Sequence, residues 1–309
     1  FRYLRRMGKN VVYAYFPFPH MRMIKGTDAL VTNDTYLTFL FQRERCKFIQ
    51  LWHGVGPKGI APDDYKLCDA RCVTSDFTKR RHLELWKAPP EKLYVTGFAR
   101  MDRLYNLLKL PKEEIKRELA IESKGKVLLY APTFDIGLWP WGDQYTGFEK
   151  LCRYCNRKGL VLVLRLHPFA KLNKRRLKRL VERYRNVYWI DMQKEPDTMK
   201  LLAVADMLLT DWSSIYTDFF LTKRPIVYIE VYPEFFTKLR GKPEIPPEMR
   251  AGEIVKTPEE LFDALDKILE KGNLHRKKQE EFLEIIHGTV DGKATDRVIM
   301  VIEKILHGD

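Results

Sequence analysis

The sequence predicts an α/β protein built on parallel sheets, and three observations predict it. Short β-branched or aromatic runs alternate with helical stretches along the whole chain. Leu160 to Leu164 is apolar on both faces, as a strand covered by helices on each side must be. Several runs stop at Gly, Pro, Ser or His, the residue types of loops at the carboxyl ends of strands. A length of 309 residues suits two domains. The break between about Leu110 and Gly125 divides the chain into two Rossmann-like lobes, residues 1–120 and 121–309.

In the first lobe, Val11 to Tyr15 and Asp28 to Val31 are short strands bounded by Pro, Gly, Asn or Asp. Thr35 to Arg43 reads as a helix and Phe48 to Trp52 as a buried strand. Arg71 to Ser75 is the next strand, and Ser75 or Asp76 caps a helix from Phe77 to Trp86. Leu93 to Phe98 is a strand running into Ala99 to Asp102, and charge alternation makes Lys112 to Leu119 helical. The second lobe opens with the strand Lys126 to Tyr130, followed by an aromatic loop and a helix carrying Cys152 and Cys155. After Leu160 to Leu166 come a basic helix from Lys171 to Tyr184, a strand from Val187 to Ile190 and a helix from Met199 to Val204. Asp206 to Thr210 is a strand, Ser213 to Leu221 a helix, and Pro225 to Ile229 the last strand expected. Arg240 to Pro247 reads as a surface loop. Helices close the chain at 258–269, 278–286 and 295–306, and the segment 295–309 is expected to pack back on the first lobe.

The formal net charge is +14, from 55 Lys and Arg against 41 Asp and Glu. Such an excess suits a nucleotide, a phosphorylated polymer, a nucleic acid or an acidic membrane. Five cysteines are an odd number, so a complete disulfide framework is not expected and a reducing cytoplasm is the default. Cys152 and Cys155 fall on the apolar face of their helix, which favours core packing over a zinc site shared with Cys68 and Cys72. No apolar run is long enough to span a bilayer, and no signal peptide is visible. The chain begins at Phe1, so an N-terminal anchor would lie outside it.

Chemistry-bearing residues gather where strands end. Gln50-Leu51-Trp52-His53-Gly54-Val55-Gly56-Pro57-Lys58 is a strand running into a loop whose backbone can approach a ligand closely. A lone histidine there reads as a turn residue. The pattern recurs at Leu166-His167-Pro168 and at Thr210-Asp211-Trp212-Ser213-Ser214, which argues for a cleft. Ser213 and Ser214 open a helix, which equally suits phosphate binding or a simple N-cap. Asp218 lies one turn below and could steady the Ser214 hydroxyl or face a sugar hydroxyl. Arg165 and His167 alternate along one strand and are expected to point to the same side. Pro132 and Thr133 end the neighbouring strand. Neither GxGxxG nor GxxxxGK[ST] follows any strand, which weighs against a NAD enzyme or an ordinary ATPase. No His or carboxylate cluster has catalytic-metal spacing, so no metal and no cofactor are expected. The basic helix from Lys171 to Arg185 reads as a solvated face before a lipid or nucleic-acid surface. Phe16, Phe18 and Met21 beside His20 and Arg22 make a second aromatic-basic patch of open meaning.

These segments resemble the CDP-glycerol glycerophosphotransferase family, the primases and polymerases of teichoic-acid synthesis. The match runs through Gln50-x-Trp52-His53-Gly54 with Lys58, Gly97-x-x-Arg100-x-Asp102, Leu129-Tyr130-Ala131-Pro132-Thr133 and Leu166-His167-Pro168. It continues through Thr210-Asp211-Trp212-Ser213-Ser214 with Asp218, Arg224-Pro225-Ile226, and Asp291-Gly292-Lys293-Ala294-x-x-Arg297. The resemblance implies a GT-B fold with CDP-glycerol, or a related CDP-polyol, bound mainly by the C-terminal lobe. It places His53 and His167 on the family's two functional histidines, and Ser213 and Ser214 on its pyrophosphate-binding helix start. Gly54, Lys58, Arg100, Pro132, Thr133, Phe134, Arg165, Asp218 and Arg297 complete the expected substrate site. Two positions depart from the pattern: Val55 stands where a hydroxyl residue is usual, and Phe134-Asp135 where an aromatic-basic pair is common.

The implied chemistry is phosphoryl transfer: an acceptor hydroxyl attacks the β-phosphorus of the donor and CMP leaves. His53 would be the general base, and His167, Arg165, Ser213 and Ser214 would hold the diphosphate. The expected acceptor is a lipid-linked saccharide or growing polymer at the cytoplasmic face of the membrane, with the protein held peripherally on an anionic surface and no nucleic acid involved. The rivals are a GT-B glycosyltransferase or epimerase using a UDP-sugar, and a non-catalytic membrane or nucleic-acid binding module.

Overall fold

The computed structural model describes residues 27–33, 46–58 and 67–308. The strand expected at Val11 to Tyr15, the helix at Thr35 to Arg43 and the patch around His20 lie outside these residues. Two parallel sheets carry the fold. The first has the order β1 (Ala29–Thr32), β2 (Lys47–Gln50), β3 (Ala70–Val73), β4 (Leu93–Val95). Helix α1 (Asp76–Trp86) follows β3, and Ser75 caps it by accepting from Thr78 N. Helices α2 (Ala99–Leu107) and α3 (Lys112–Glu118) then lead out of this sheet.

The second sheet contains β5 (Val127–Ala131), β6 (Val161–Leu164), β7 (Val187–Trp189), β8 (Met207–Thr210), β9 (Ile226–Ile229) and β10 (Glu253–Val255). Their spatial order is β10-β9-β8-β5-β6-β7. The chain proceeds outward from β5 through β6 to β7, then returns to place β8 on the other side of β5. The loops after β5 and β8 therefore leave in opposite directions and open a crevice at the switch point. Thr133 follows β5, and Asp211 to Ser214 follow β8, so the sheet order alone brings these segments together.

Helices α4 (Gln144–Arg157), α5 (Lys174–Val181) and α6 (Thr198–Val204) alternate with the strands, as parallel pairing requires. Cys152 and Cys155 are fully buried in the core on α4, and burial raises both thiol pKa values, that of Cys152 to about 12. Helix α5 is shorter than its apolar pattern predicts: it starts at Lys174, where Asn173 caps it by accepting from Arg176 N, and it ends at Val181. The short α7 (Ile215–Phe219), α8 (Pro258–Lys271), α9 (Arg276–His287) and α10 (Ala294–His307) follow.

Further features differ from the sequence reading. Strand β2 ends at Gln50, not Trp52, because Trp52 takes a left-handed backbone with φ 61°. Ala99–Leu107 is a helix whose buried Met101, Leu104 and Leu107 join the core. A sixth strand, Glu253–Val255, pairs with β9, so Ile229 does not end the last strand; three residues are too few to show a period. Finally, 240–247 is not merely a surface loop, since Glu244 and Ile245 are fully buried.

Both halves share packing. Trp52, Val55, Phe98 and Met101 from around the first sheet join Leu129, Leu202, Tyr216 and Phe219 in one apolar cluster. Helix α10 returns to the first sheet, where Val298 and Val301 pack on Ile49, Ala70 and Cys72. Asp102 caps that helix, accepting from the backbone N–H groups of Ala294 and Thr295 and from the Thr295 hydroxyl.

Candidate functional site

The loop after β2 lies against the turn after β8. A Cβ built on Gly54 would stand 2.5 Å from Ser214 Oγ, and one on Gly56 2.9 Å from Ser214 Cβ. At Gly56 glycine is needed because two backbones meet, a Cβ there also falling 3.2 Å from Ser214 Cα. The Thr217 hydroxyl donates to Val55 O at 3.1 Å and Ile245 N to Gly56 O at 3.1 Å, pinning the loop from two sides. His53 is exposed at the head of this loop, its ring 4.6 Å from that of Trp52. The left-handed conformation of Trp52 costs about 1–2 kcal/mol, which its surroundings must offset.

Arg100 spans the same junction. Its Nε and one terminal nitrogen bind Asp218 at 2.7 and 3.1 Å, and the other donates to His53 O at 3.2 Å. Asp218 is thus engaged by Arg100 and does not contact the Ser214 hydroxyl. The buried His287 approaches the same carboxylate, with Nε2 3.8 Å from Asp218 Oδ1. Burial, offset in part by Asp218, brings the His287 pKa down to about 4.

Across the crevice, Asp211 organises the loops at the switch point of the second sheet. Fully buried, it accepts from Thr133 N at 2.8 Å, the Thr133 hydroxyl at 3.0 Å and Ser213 N at 3.0 Å. Burial pushes its carboxyl up to about 6 despite those donors and the nearby Lys58. Ser213 Oγ accepts from Ile215 N at 3.4 Å, while Ser214 makes no side-chain cap bond. Pro132 is buried at the end of β5, and Phe134 follows with its ring 5.0 Å from that of His167.

Two cations face this aromatic pair. Lys58 Nζ lies 5.9 Å from the Phe134 centroid and the Arg240 guanidinium 5.8 Å. Desolvation comes first, and then Arg240, in lowering the Lys58 pKa. Desolvation and Lys58 in turn lower that of His167 below its ordinary value. Phe169 N donates to His167 Nδ1 at 3.2 Å, so the neutral ring carries its proton on Nε2. Arg240 also pairs with Asp135 at 2.6 Å. The basic group absent after Phe134 in sequence is therefore supplied by a residue about a hundred positions later.

Two expected site residues stand elsewhere. Arg165 does not point with His167: strand β6 ends at Leu164, and the Arg165 guanidinium turns to Ile190 O, Glu195 O and the Thr198 hydroxyl. Arg297 is occupied by Thr96 O and by both carboxylate oxygens of Asp291. The remaining residues form a contiguous path from His53 through Gly54, Ser214, Ser213, Asp211, Thr133 and Phe134 to His167. Asp211, Arg240, Glu244 and His287 were not singled out by sequence reasoning. Only Asp211, inside the recurrent strand-end pattern, carried a signal there.

Two helix-flanked parallel sheets with a crevice at the switch point define a GT-B type α/β fold. The solved wall teichoic acid polymerase TagF superposes with a TM-score of 0.72 at 21% identity, covering 92% of this chain and 74% of that one. A UDP-GlcNAc 2-epimerase from Neisseria meningitidis gives 0.59 at 14% identity, covering 93% and 80%. Residues 5–304 match the family model of CDP-Glycerol:Poly(glycerophosphate) glycerophosphotransferase, and the chain belongs to that family of transferases. Among curated relatives, the teichoic acid ribitol-phosphate polymerase TarK of Staphylococcus aureus is 27% identical over 272 residues, 82% of this chain and 51% of the relative. A teichoic acid glycerol-phosphate transferase of the same species is 26% identical over 313 residues, 89% and 76%. The chain spans about half the length of the ribitol-phosphate polymerases it matches.

Proposed function

We propose that this chain transfers glycerol phosphate, or a related polyol phosphate, from a CDP-polyol to the hydroxyl of a teichoic-acid-like acceptor and releases CMP. The observation that carries the reading is the meeting of the His53 loop with Ser214 and of Lys58 with the Phe134–His167 pair. One crevice then holds a histidine for the attacking hydroxyl and several donors for a diphosphate.

In this reading residues 121–309 bind the donor and residues 1–120 face the acceptor. His53 takes the proton from the acceptor hydroxyl as it attacks the β-phosphorus. His167 Nε2–H, Lys58 and the Ser213–Ser214 turn hold the diphosphate oxygens and stabilise the charge that grows on CMP as the bond to it breaks. Arg100, bound to Asp218 and to His53 O, sets the base loop instead of touching substrate. Arg165 holds the 190–198 loop from behind. The acceptor is a lipid-linked saccharide or its polymer at the cytoplasmic membrane face, to which the net charge of +14 is suited.

The test is a thermal-shift titration with CDP, CDP-glycerol, CDP-ribitol and UDP-N-acetylglucosamine, followed by turnover of His53→Ala. Stabilisation by the cytidine compounds is expected, because a ligand that binds only the native state raises Tm. His53→Ala should lose about a hundredfold or more in turnover while still binding donor. Stabilisation by the UDP-sugar alone, or near-parental turnover of His53→Ala, would refute the assignment.

A further inference from the structure

The stretch from Arg240 to Ile245 leaves the second sheet, yet Glu244 buries its carboxylate among side chains of the first. Glu244 is fully buried, and both its oxygens are used. The Trp52 indole N–H donates to Oε2 at 3.1 Å, and His82 Nε2 lies 2.7 Å from Oε1. A carboxylate only accepts, so the His82 proton sits on Nε2. Arg71, also fully buried, stacks its guanidinium 4.6 Å from the Trp52 ring. Arg81 grips the same stretch from outside, donating to Glu244 O and Pro243 O at 2.9 and 3.2 Å.

We infer that Glu244 is a positioning residue for His53, acting through Trp52. The inference rests on the reading of His53 as the general base. Trp52 immediately precedes His53 and holds the left-handed backbone that turns the chain out of β2. An indole tied at its N–H and packed on Arg71 cannot rotate freely, so the turn and the direction of His53 are set together. One residue beyond Glu244, Ile245 N binds Gly56 O on the far side of the same loop. Four residues before it, Arg240 reaches Asp135 and Phe134. One six-residue stretch thus touches the base loop at both ends and the phosphate side of the crevice. The base is aimed by the half of the molecule that carries the donor site.

The experiment compares Trp52→Phe, Glu244→Gln and Glu244→Asp with the parent. Trp52→Phe removes the indole donor together with part of the ring that packs on Arg71 and His53; Glu244→Gln keeps the side-chain length but sets an amide donor against a donor. Carbethoxylation of His53 and His167 by diethyl pyrocarbonate, read by mass spectrometry, reports each imidazole separately without any substrate. With CDP-glycerol or CDP-ribitol, kcat and donor KM are then measured. The His53 rate is expected to change about threefold or more in Trp52→Phe and Glu244→Gln, with His167 within about twofold and kcat down about tenfold at little-changed KM. Glu244→Asp should recover part of the loss. Unchanged His53 reactivity in both, or equal changes at both histidines, would overturn the inference. Should Glu244→Gln not fold, Glu244→Asp decides in its place, a smaller change at His53 alone being expected and none overturning the inference. Parental turnover of His53→Ala would sink the base reading, while the carbethoxylation rates would still decide for or against Glu244.

Discussion

Gly54 and Gly56 show how a single missing atom can matter where two parts of a chain meet. Their hydrogens leave room for Ser214, whose atoms a Cβ would meet at 2.5 and 2.9 Å. Ser214 Oγ can rotate away from a methyl on Gly54, but Ser214 Cβ and Cα cannot move from one on Gly56 without shifting the turn. Gly56→Ala is therefore expected to cost more than Gly54→Ala, about 1–3 kcal/mol by overpacking. Urea unfolding of both variants measures the difference, and equal costs would contradict the geometry. Single residues also show the limit of reading types from a motif. Arg165 and Arg297 sit in matching segments, yet their guanidinium groups are taken up by backbone carbonyls and Asp291. Which partner an arginine finds is decided by distant chain, and no local pattern reports it.

Among elements, helix α10 is held at its start by a carboxylate from α2. Asp102 receives three donors there, two of them backbone N–H groups that would otherwise lack a partner. Asp102→Ala should destabilise the fold by about 1–2 kcal/mol and loosen α10 from the first sheet. Hydrogen exchange is the measurement, with faster exchange expected across residues 294–301 and little change in α8. Periodicity revealed α8, α9 and α10 well because each is twelve residues or longer and amphipathic. It missed Glu253–Val255 and the helical character of Ala99–Leu107. A three-residue edge strand owes its form to its neighbour β9, and α2 to packing against α6.

The whole molecule adds a pH dependence that neither half would have alone. His287 at the end of α9 lies against Asp218 and Phe98, where the two sheets' surroundings join. Burial, opposed by Asp218, holds its pKa at about 4 against an ordinary 6.5. A histidine kept neutral in the fold but free to charge when unfolded contributes fully above the unfolded value. That contribution is lost as pH falls from about 6.5 to about 4, by up to roughly 3 kcal/mol. Asp211 works in the opposite direction. Its folded pKa of about 6 is raised, so its contribution is full below the ordinary 3.8 and lost as pH rises through 6. The two partly cancel in the parent curve, so the difference between His287→Gln and parent is the informative quantity. That difference should shrink steadily between pH 6.5 and 4 in chemical denaturation, and a flat difference would refute the burial argument.

Much could be read without coordinates: the parallel α/β class, most strands, the buried cysteines, and the strand ends that carry His53, His167, Thr133 and Ser213. These follow from local chemistry, since side-chain period, turn residues and apolar runs are recorded within ten or so consecutive positions. The rest depends on contacts between residues far apart in sequence. Arg240 filling the place beside Phe134, Glu244 under Trp52, Arg100 tying Asp218 to the His53 backbone, and His287 buried at that tie all join separate segments. Each is a charged or polar group whose meaning comes from the one partner that desolvates or neutralises it. Burial and pairing energies belong to the assembled molecule, so only its packing could assign them.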